Sequence, residues 1–428
     1  MTGHLGRRLR QRAGRFARQS VVLLASASLA LSGCVTNGTG PNGKSGAVGP
    51  QLSSLFETKA REPVVDVTKP RLDIIVPVFD PGLSADAETY KEEGVWPDLR
   101  RAEANRFAWK LKQALEDTGA FGAVRVTPDA SATGDLYVMG RIVESNGEDV
   151  EIAVEVVDIA GKPWFDGTFD HEVDSGFHQD VRNQGKDPYD PVFTAAANRI
   201  AVELEDRSAA QLAELQKITE LRFGAFLTEE AFATHMTSER GEIALTSFPA
   251  ETDPMLTRTR AIRVRDQLFV DGLQERYRDF SAEMDTSYLI WQEQALLEIE
   301  ARRKANWDAA GEAALGVLAV GIAILAIAAG ARSSSYGGQT AGVAGGIAAG
   351  AIGAGLIGSS FQTSKEAEVH RDALNELGKS IDVELAPRVV AYDKETVELT
   401  GNAKEQFAQW RAFLQKIYEA ERTPAVQL

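Results

Sequence analysis

Leu72-Asp73-Ile74-Ile75-Val76-Pro77-Val78-Phe79 is a short apolar run, rich in branched side chains, that ends at Asp80-Pro81-Gly82. Such a run predicts a largely buried strand. A helix is predicted next, from about Asp98 to Asp117, with Asp98 as its N-cap and Gly119 as its C-terminal stop. Its apolar positions fall on one face at helical spacing; they are Ala104, Phe107, Ala108, Leu111 and Leu115.

Four further strands are predicted after this helix, at 123–127, 135–144, 151–159 and 164–173. Asn146-Gly147 and Ala160-Gly161-Lys162-Pro163 are typical of hairpin turns between the later strands. The third strand alternates apolar and polar side chains, as a half-exposed antiparallel strand does. A helix at 191–217 closes the unit. The order β-α-β-β-β-β-α predicts an α+β fold, a small antiparallel sheet with helices on one face.

A long helix is predicted from about 255 to 305. Eight mostly aromatic or aliphatic residues recur there every three or four positions, with a mean spacing close to that of a straight helix; they are Phe269, Leu273, Tyr277, Phe280, Met284, Tyr288, Trp291 and Ala295. This seam could dock a partner or a second copy, or it could pack against neighbouring helices of the same chain. Both alternatives remain open from the sequence.

Two uncharged stretches follow, at 313–331 and 340–361, separated by a polar, turn-like break. Each is long enough to cross roughly 30 Å of hydrocarbon. Small residues recur at every fourth position of the second stretch, which lets two helix backbones approach closely; they are Gly342, Gly346, Gly350, Ala354 and Gly358. We predict a glycine-zipper helical hairpin, inserted in a membrane or packed in an oligomeric core. The alternative is a soluble buried hairpin or a flexible linker.

The C-terminal part is predicted to contain strands and one helix. Residues 381–385 and 388–392 could pair with 396–399, and Asn402 is the predicted cap of the last helix. An apolar stripe follows this helix; it consists of Phe407, Trp410, Leu414 and Ile417. Trp410 could anchor a partner or a membrane interface, although we expect it to lie in the core.

The amino terminus has the pattern of an export signal. Six arginines and no acidic residue precede an apolar run at 21–31, which is too short to span a bilayer. The run leads into Leu31-Ser32-Gly33-Cys34, which resembles the lipobox of bacterial lipoproteins. The resemblance implies cleavage before Cys34, acylation of its thiol with fatty acyl groups such as palmitate, and, with Val35 next, sorting to the outer membrane facing the periplasm.

These features divide the chain into six predicted segments: a signal peptide at 1–33, a flexible tether at 34–65, the α+β domain at 66–230, a helical region at 231–312, the zipper hairpin at 313–361, and a C-terminal helix-strand-helix unit at 362–428. The six arginines of the signal peptide would leave with it, so the net charge of −16 would become −22. Such a charge repels phosphate, and we therefore expect no nucleic-acid partner.

The first domain also resembles the TolB amino-terminal type of periplasmic domain, which curli-secretion-like and penicillin-binding-protein-activator-like lipoproteins share. The resemblance is carried by four stretches, namely Ile74 to Phe79, Leu115 to Phe121, Gly134 to Gly140 and Val156 to Trp164. It implies a protein-binding or assembly role in the cell envelope. The domain lacks the apolar hairpins that would build a secretion barrel.

One stretch of the sequence is rich in residue types that bind metals. His171, Glu172, Asp174, His178 and Asp180 form a ligand-rich cluster, but their spacing matches no zinc or metalloprotease pattern. We therefore predict no catalytic residue, no metal and no cofactor. The leading hypothesis is a non-enzymatic, lipid-anchored protein that assembles or stabilises an envelope complex, with an envelope protein or a second copy as partner. The alternatives are an oligomeric pore or secretion component, and an envelope hydrolase with dispersed carboxylates.

Overall fold

The structure is a computed structural model that describes residues 63–86, 90, 95–312, 365–380, 382–392 and 395–422. Its central sheet contains five strands, β1 (Ile74–Pro77), β2 (Val124–Thr127), β3 (Leu136–Ser145), β4 (Asp149–Asp158) and β5 (Pro163–Glu172). Helix α1 (Pro97–Asp117) joins β1 to β2, and helices α2 (Asp190–Glu203) and α3 (Ala209–Leu227) follow β5. The predicted combination of helices with a sheet is confirmed.

The sheet is mixed, and the prediction of an antiparallel sheet is wrong in this respect. The strand order is β2-β1-β3-β4-β5; β1 runs parallel to both β2 and β3, whereas β3, β4 and β5 are antiparallel. The reason is that α1 carries the chain back across the sheet, so that β2 starts at the same end as β1. The connection from β2 to β3 then passes to the other side of β1.

Helices α1 and α2 pack together on one face of the sheet. The ring of Phe107 makes edge contacts with Phe79 at 6.4 Å and with Phe193 of α2 at 5.1 Å between centroids. All five predicted apolar positions of α1 are buried. Along β4, Val150, Ile152 and the alternate residues after them are buried while their neighbours are not, so the predicted alternation is confirmed.

Several predicted helix ends differ from the structure. Asp98 is not the N-cap, because α1 begins at Pro97 and the residue in the cap position is Trp96. The side chain of Asp98 pairs with Arg101 instead. Gly119 does follow the end of α1, with a φ of +65° that favours glycine. The helix predicted at 191–217 is two helices. Ser208 accepts a hydrogen bond from the backbone N–H of Gln211 and thereby starts α3 separately.

A short helix α4 (Glu229–Phe232) and a hairpin of β6 (Met236–Glu239) and β7 (Glu242–Leu245) follow α3. The sequence does not predict this hairpin, because its strands are short and mostly exposed. The backbone N–H of Ile243 donates to the carbonyl of Ala160 at 2.7 Å, which ties the hairpin to the turn after β4. Tertiary contact of this kind stabilises strands that have little apolar surface of their own.

The long helix is α5 (Pro254–Glu312), and its seam faces the interior of the same chain. All eight seam residues except the half-buried Phe280 are buried. Tyr288 contacts the ring of Tyr189, and Phe269 stacks on Trp410. Of the two alternatives that the sequence left open, the structure shows intramolecular packing.

Helix α5 also covers the edge of the sheet at β2. The side-chain amide of Gln274 accepts from the N–H of Val126 at 2.9 Å and donates to its carbonyl at 2.8 Å. Gln274 therefore occupies the position of a neighbouring strand and satisfies backbone groups that an open edge would expose.

The C-terminal part consists of α6 (Lys365–Leu377), a hairpin of β8 (Arg388–Tyr392) and β9 (Glu395–Leu399), and α7 (Ala403–Arg422). The predicted cap is confirmed, since Asn402 accepts from the N–H of Glu405 at 2.9 Å. The predicted stripe from Phe407 to Ile417, Trp410 included, is buried. No strand forms at 382–385, where the carbonyl of Val383 accepts from the N–H of Ala403 instead.

Within these described ranges, no helix combines the length and the apolar character that a membrane crossing requires. The predicted zipper hairpin at 313–361 lies outside them.

Candidate functional site: a buried ionic cluster on the long helix

The site residues predicted from the sequence lie outside the residues that the structure describes. This is true of the processing motif Leu31, Ser32 and Gly33, of the lipidation site Cys34, and of the helix-packing stripe from Gly342 to Gly358. These assignments therefore remain predictions.

The ligand-rich stretch from His171 to Asp180 is described. Asp180 forms hydrogen bonds with the side chain and the backbone N–H of Arg182, which lower the pKa of Asp180 to about 2. His178 lies in a single 3-10 turn, and its partial burial lowers its pKa. In the part of the chain that the structure describes, no group of three histidine, cysteine or acidic side chains is arranged to hold a metal ion.

The structure instead reveals a cluster of buried charges between α1 and α5. The Arg106 cluster, as we call it, consists of Glu103 and Arg106 on α1, Asp187 in the loop before α2, and Asp285 and Tyr288 on α5. The Arg106 side chain is 1% exposed and that of Asp187 is 4% exposed, and Nη2 of Arg106 lies 2.6 Å from Oδ2 of Asp187. Isolated charges at such depth would be strongly unfavourable, so the pair must be held together.

Arg106 joins three separate parts of the chain. Its guanidinium pairs with Asp187 and with the half-exposed Asp285, and it lies over the ring of Tyr288 at 4.9 Å from the centroid. Burial alone would lower the pKa of Arg106, but the two carboxylates raise it above its usual value. Arg106 therefore stays charged and connects α1 to α5 and to the loop before α2.

Asp187 is ionised in spite of its burial. Burial by itself would raise the pKa of this carboxyl, but Arg106 and the Nζ of Lys110, at 3.4 Å, bring the pKa below its ordinary value. Its other oxygen, Oδ1, accepts from the backbone N–H of Tyr189 at 2.9 Å and organises the turn into α2. Its position in the sequence, just before the helix predicted at 191–217, gives no sign that this carboxylate is buried.

Glu103 occupies the other end of the cluster and is fully buried. Its Oε1 accepts from the hydroxyl of Ser145 on β3 at 2.6 Å and from that of Tyr288 at 2.7 Å. Its Oε2 has no hydrogen-bond partner among the described residues, and Nε of Arg100 lies 3.7 Å away from it. Burial raises the pKa of Glu103, and the nearby arginines and hydroxyl groups only partly oppose this rise.

The geometry of the Arg106 cluster suits attachment of helices more than catalysis. Glu103, Arg106 and Asp187 are sealed from solvent, so no substrate contacts them in this conformation. Glu103 bonds to Ser145 on β3 and to Tyr288 on α5, and Arg106 bonds to Asp187 and to Asp285 on α5, which makes the cluster a connection between the sheet, α1 and α5. The sequence contained one signal for it, since Glu103, Arg106 and Lys110 share one face of α1 while the apolar residues occupy the other.

We expect the replacement Glu103→Gln to change the pH dependence of stability. A raised pKa means that the folded state keeps a proton that the unfolded state begins to release near pH 4.5. Stability of the wild type should therefore fall as pH rises through the interval between 4.5 and the raised pKa of Glu103. Glutamine has no such proton, so the stability of the variant relative to the wild type should rise with pH across this interval. Urea unfolding at a series of pH values measures the free energy of unfolding of both proteins.

Glu103→Leu is the matched control for this experiment, because leucine does not titrate either. Leucine leaves the hydroxyl groups of Ser145 and Tyr288 without their acceptor, so this variant should be less stable than Glu103→Gln by about 1–3 kcal/mol at every pH. Stability curves of the wild type and Glu103→Gln that stay parallel from pH 4 to pH 8 would contradict the raised pKa.

Comparison of the chain with protein-family models, with curated proteins and with solved structures finds no match. The likeness of the first domain to the TolB amino-terminal type thus remains a prediction from the sequence.

Proposed function

We propose that this protein is a lipid-anchored component of the cell envelope that acts without catalysis, in the assembly or stabilisation of a protein complex. The observation that carries the proposal is the amino-terminal pattern of arginines, short apolar run and Leu31-Ser32-Gly33-Cys34. In this proposal the acylated Cys34 holds the chain in the outer membrane, facing the periplasm. A single acyl chain gives only marginal membrane binding, so stable attachment needs a second chain or another apolar anchor.

The path of α5 supports a second anchor. This helix is packed against α1, β2 and α7 and reaches Glu312, next to the first uncharged stretch at 313–331. The Arg106 cluster fixes the same helix to the α+β part. A zipper hairpin at 313–361 would therefore be joined to the folded part through one continuous helix, an arrangement suited to holding a domain near a membrane.

The use of buried charges supports a structural role. Asp187 forms an ion pair with Arg106, and Asp266 on α5 forms an ion pair with Arg411 on α7, at 3.0 Å. Both ion pairs connect elements that are distant in the sequence. We infer that the envelope partner, another protein or a second copy of this chain, binds a rigid body that these connections maintain.

The stripe from Gly342 to Gly358 favours a second candidate function, an oligomeric pore or secretion component. Small residues in register allow several helices to pack closely around one axis. A pore requires a closed ring of copies, whereas a scaffold does not. Measuring the mass of the purified assembly in detergent separates the two.

The anchor is tested by analysis of the mature amino terminus. We expect mass spectrometry of the protein from a bacterial host to find a first residue Cys34 that carries fatty acyl groups. The fractionation experiment uses two variants. In both, an ordinary cleavable signal replaces residues 1–33 and Cys34→Ser removes the thiol. One of them keeps residues 313–361 and the other lacks them. Only the form that lacks both anchors should enter the aqueous periplasmic extract.

The controls are the chain with and without residues 313–361 in which the natural signal and Cys34 are retained, and both forms should stay with the membrane fraction. A mature chain that begins at another residue, or an unmodified Cys34, would remove the basis of the proposal.

A further inference from the structure

A groove lies between α3, α7 and the loop after β2, away from the Arg106 cluster. We call it the α3–α7 groove; its volume is about 500 Å³. Small-molecule sites in proteins commonly have volumes of roughly 300 to 1,000 Å³. The residues that matter for its chemistry are Tyr137, Ile159, Arg222, Phe226, Arg411 and Ala412. The groove is thus large enough for a small organic ligand.

Two arginines, Arg222 and Arg411, line the groove in a chain whose net charge is −16. Burial raises the pKa of the Tyr137 hydroxyl, and both Arg222 and Arg411 act against this rise, which places two cations close to the phenol. Asp135 acts in the opposite direction to the two arginines and raises the pKa of Tyr137. Its carboxylate accepts a hydrogen bond from the hydroxyl of Thr219 at 2.5 Å.

The two arginines have different roles. Arg411 is held by Asp266 at 3.0 Å and lies over the ring of Phe226 at 3.7 Å from its centroid, so its charge is compensated within the protein. Arg222 is exposed, and its Nη1 donates to the carbonyl of Ile159 at 2.6 Å. Among the residues that the structure describes, no acidic side chain forms an ion pair with Arg222. This hydrogen bond orients the guanidinium and leaves one cation uncompensated at the groove.

The rest of the lining combines apolar side chains with the polar side chains of Ser131, Thr133 and Gln415. Phe226 and Ile159 form one part of it, and the exposed faces of Ala408 and Ala412 on α7 form another. Alanines at these positions leave room that larger side chains would fill. The groove thus combines an apolar surface with one oriented guanidinium.

We propose that the α3–α7 groove binds a small organic carboxylate with an apolar body, its carboxylate paired with Arg222 and its body lying against Phe226, Ile159 and the α7 alanines. A guanidinium matches a planar carboxylate with two parallel hydrogen bonds. One uncompensated cation suits one negative charge better than the two of a phosphate monoester. This site does not depend on the proposed lipid anchor.

The test is isothermal titration of the full chain, purified in a non-ionic detergent, with 3-phenylpropanoate. We expect saturable binding in the micromolar to low millimolar range. The replacement Arg222→Gln should weaken it about tenfold or more, because the charge-assisted pair is lost. Arg278→Gln, at an exposed arginine of α5 that does not line the groove, should leave the affinity unchanged.

A second variant tests the apolar part independently. Ala412→Phe fills the groove from an exposed position of α7 and should abolish binding while the thermal unfolding midpoint stays the same. The uncharged 3-phenylpropanamide and the body-free probes acetate and inorganic phosphate should each bind at least about tenfold more weakly than 3-phenylpropanoate.

The proposal is overturned by any of three results: no saturable binding of 3-phenylpropanoate, equal affinity in the wild type and Arg222→Gln, or equal affinity for the amide or for phosphate. Arg411 is left unchanged in all variants, since its removal would leave the buried Asp266 without its ion-pair partner.

Discussion

Replacement of Arg106 by methionine is expected to lower the free energy of unfolding by about 3–5 kcal/mol. Methionine approximates the length of the arginine stem but leaves the carboxylate of Asp187, which is 4% exposed, without its main partner. Lys110 still lies 3.4 Å from Asp187 and keeps the effect from being larger. Asp285 is half exposed and can turn to water, so it adds little. Urea unfolding followed by circular dichroism measures the loss.

Two further variants separate the buried charge from the lost packing. The double variant Arg106→Met/Asp187→Asn removes the unpaired carboxylate and should recover a large part of the stability. Arg278→Met, at an arginine that is 57% exposed on α5, should change the free energy of unfolding by less than about 0.5 kcal/mol. A loss below about 1 kcal/mol for Arg106→Met would mean that the Arg106 cluster does not hold α5 in place.

Replacement of Trp410 by alanine should cost about 3–5 kcal/mol of folding free energy. The indole is 3% exposed and stacks on Phe269 of α5, with centroids 4.9 Å apart and ring planes 8° from parallel. Its Nε1 also donates to Oδ1 of Asp266 at 3.1 Å. Alanine would leave a cavity between α5 and α7 and would remove one of the two groups that bond to the Asp266 carboxylate. Urea unfolding again measures the difference.

Trp410→Phe and Val389→Ala are the matched controls. Phenylalanine keeps a ring against Phe269 but loses the N–H donor, so its cost should be smaller, about 1–3 kcal/mol. Val389 is 67% exposed on β8, and its replacement should change stability by less than about 0.5 kcal/mol. If Trp410 served mainly as an anchor for a partner or a membrane interface, Trp410→Ala would leave the stability of the isolated protein nearly unchanged.

Local patterns predicted most of the individual elements. The spacing of Phe107, Leu111 and Leu115 identified α1 and its buried face, and the alternation along β4 identified its two sides. Gly119 and Asn402 were found because helix ends need particular backbone angles and hydrogen-bond acceptors. These requirements act within one or two turns of chain, so the sequence expresses them directly. The start of α3 at Ser208 was equally local and was overlooked.

Pairings between distant segments could not be obtained in this way. The parallel alignment of β1 with β2 and β3 depends on how α1 crosses the sheet, and a five-stranded mixed sheet shares its local patterns with an antiparallel one. Whether the α5 seam forms an oligomer or packs internally also depended on which surface it contacts in the folded protein. An apolar stripe on a helix must be buried, but the stripe does not specify whether the same chain or another one buries it.

What the sequence alone determined is most of the helices and strands and the faces that they bury, because each follows from residues that are neighbours along the chain. The address implied by Leu31 to Cys34 stays a prediction. What only the tertiary structure decided is the Arg106 cluster and the α3–α7 groove. Arg106, Asp187 and Asp285 lie far apart in the sequence and meet because α1, the loop before α2 and α5 converge. Burial of Arg106 and Asp187 then turns two ordinary charges into a connection, since a charge removed from water is stable only beside its partner.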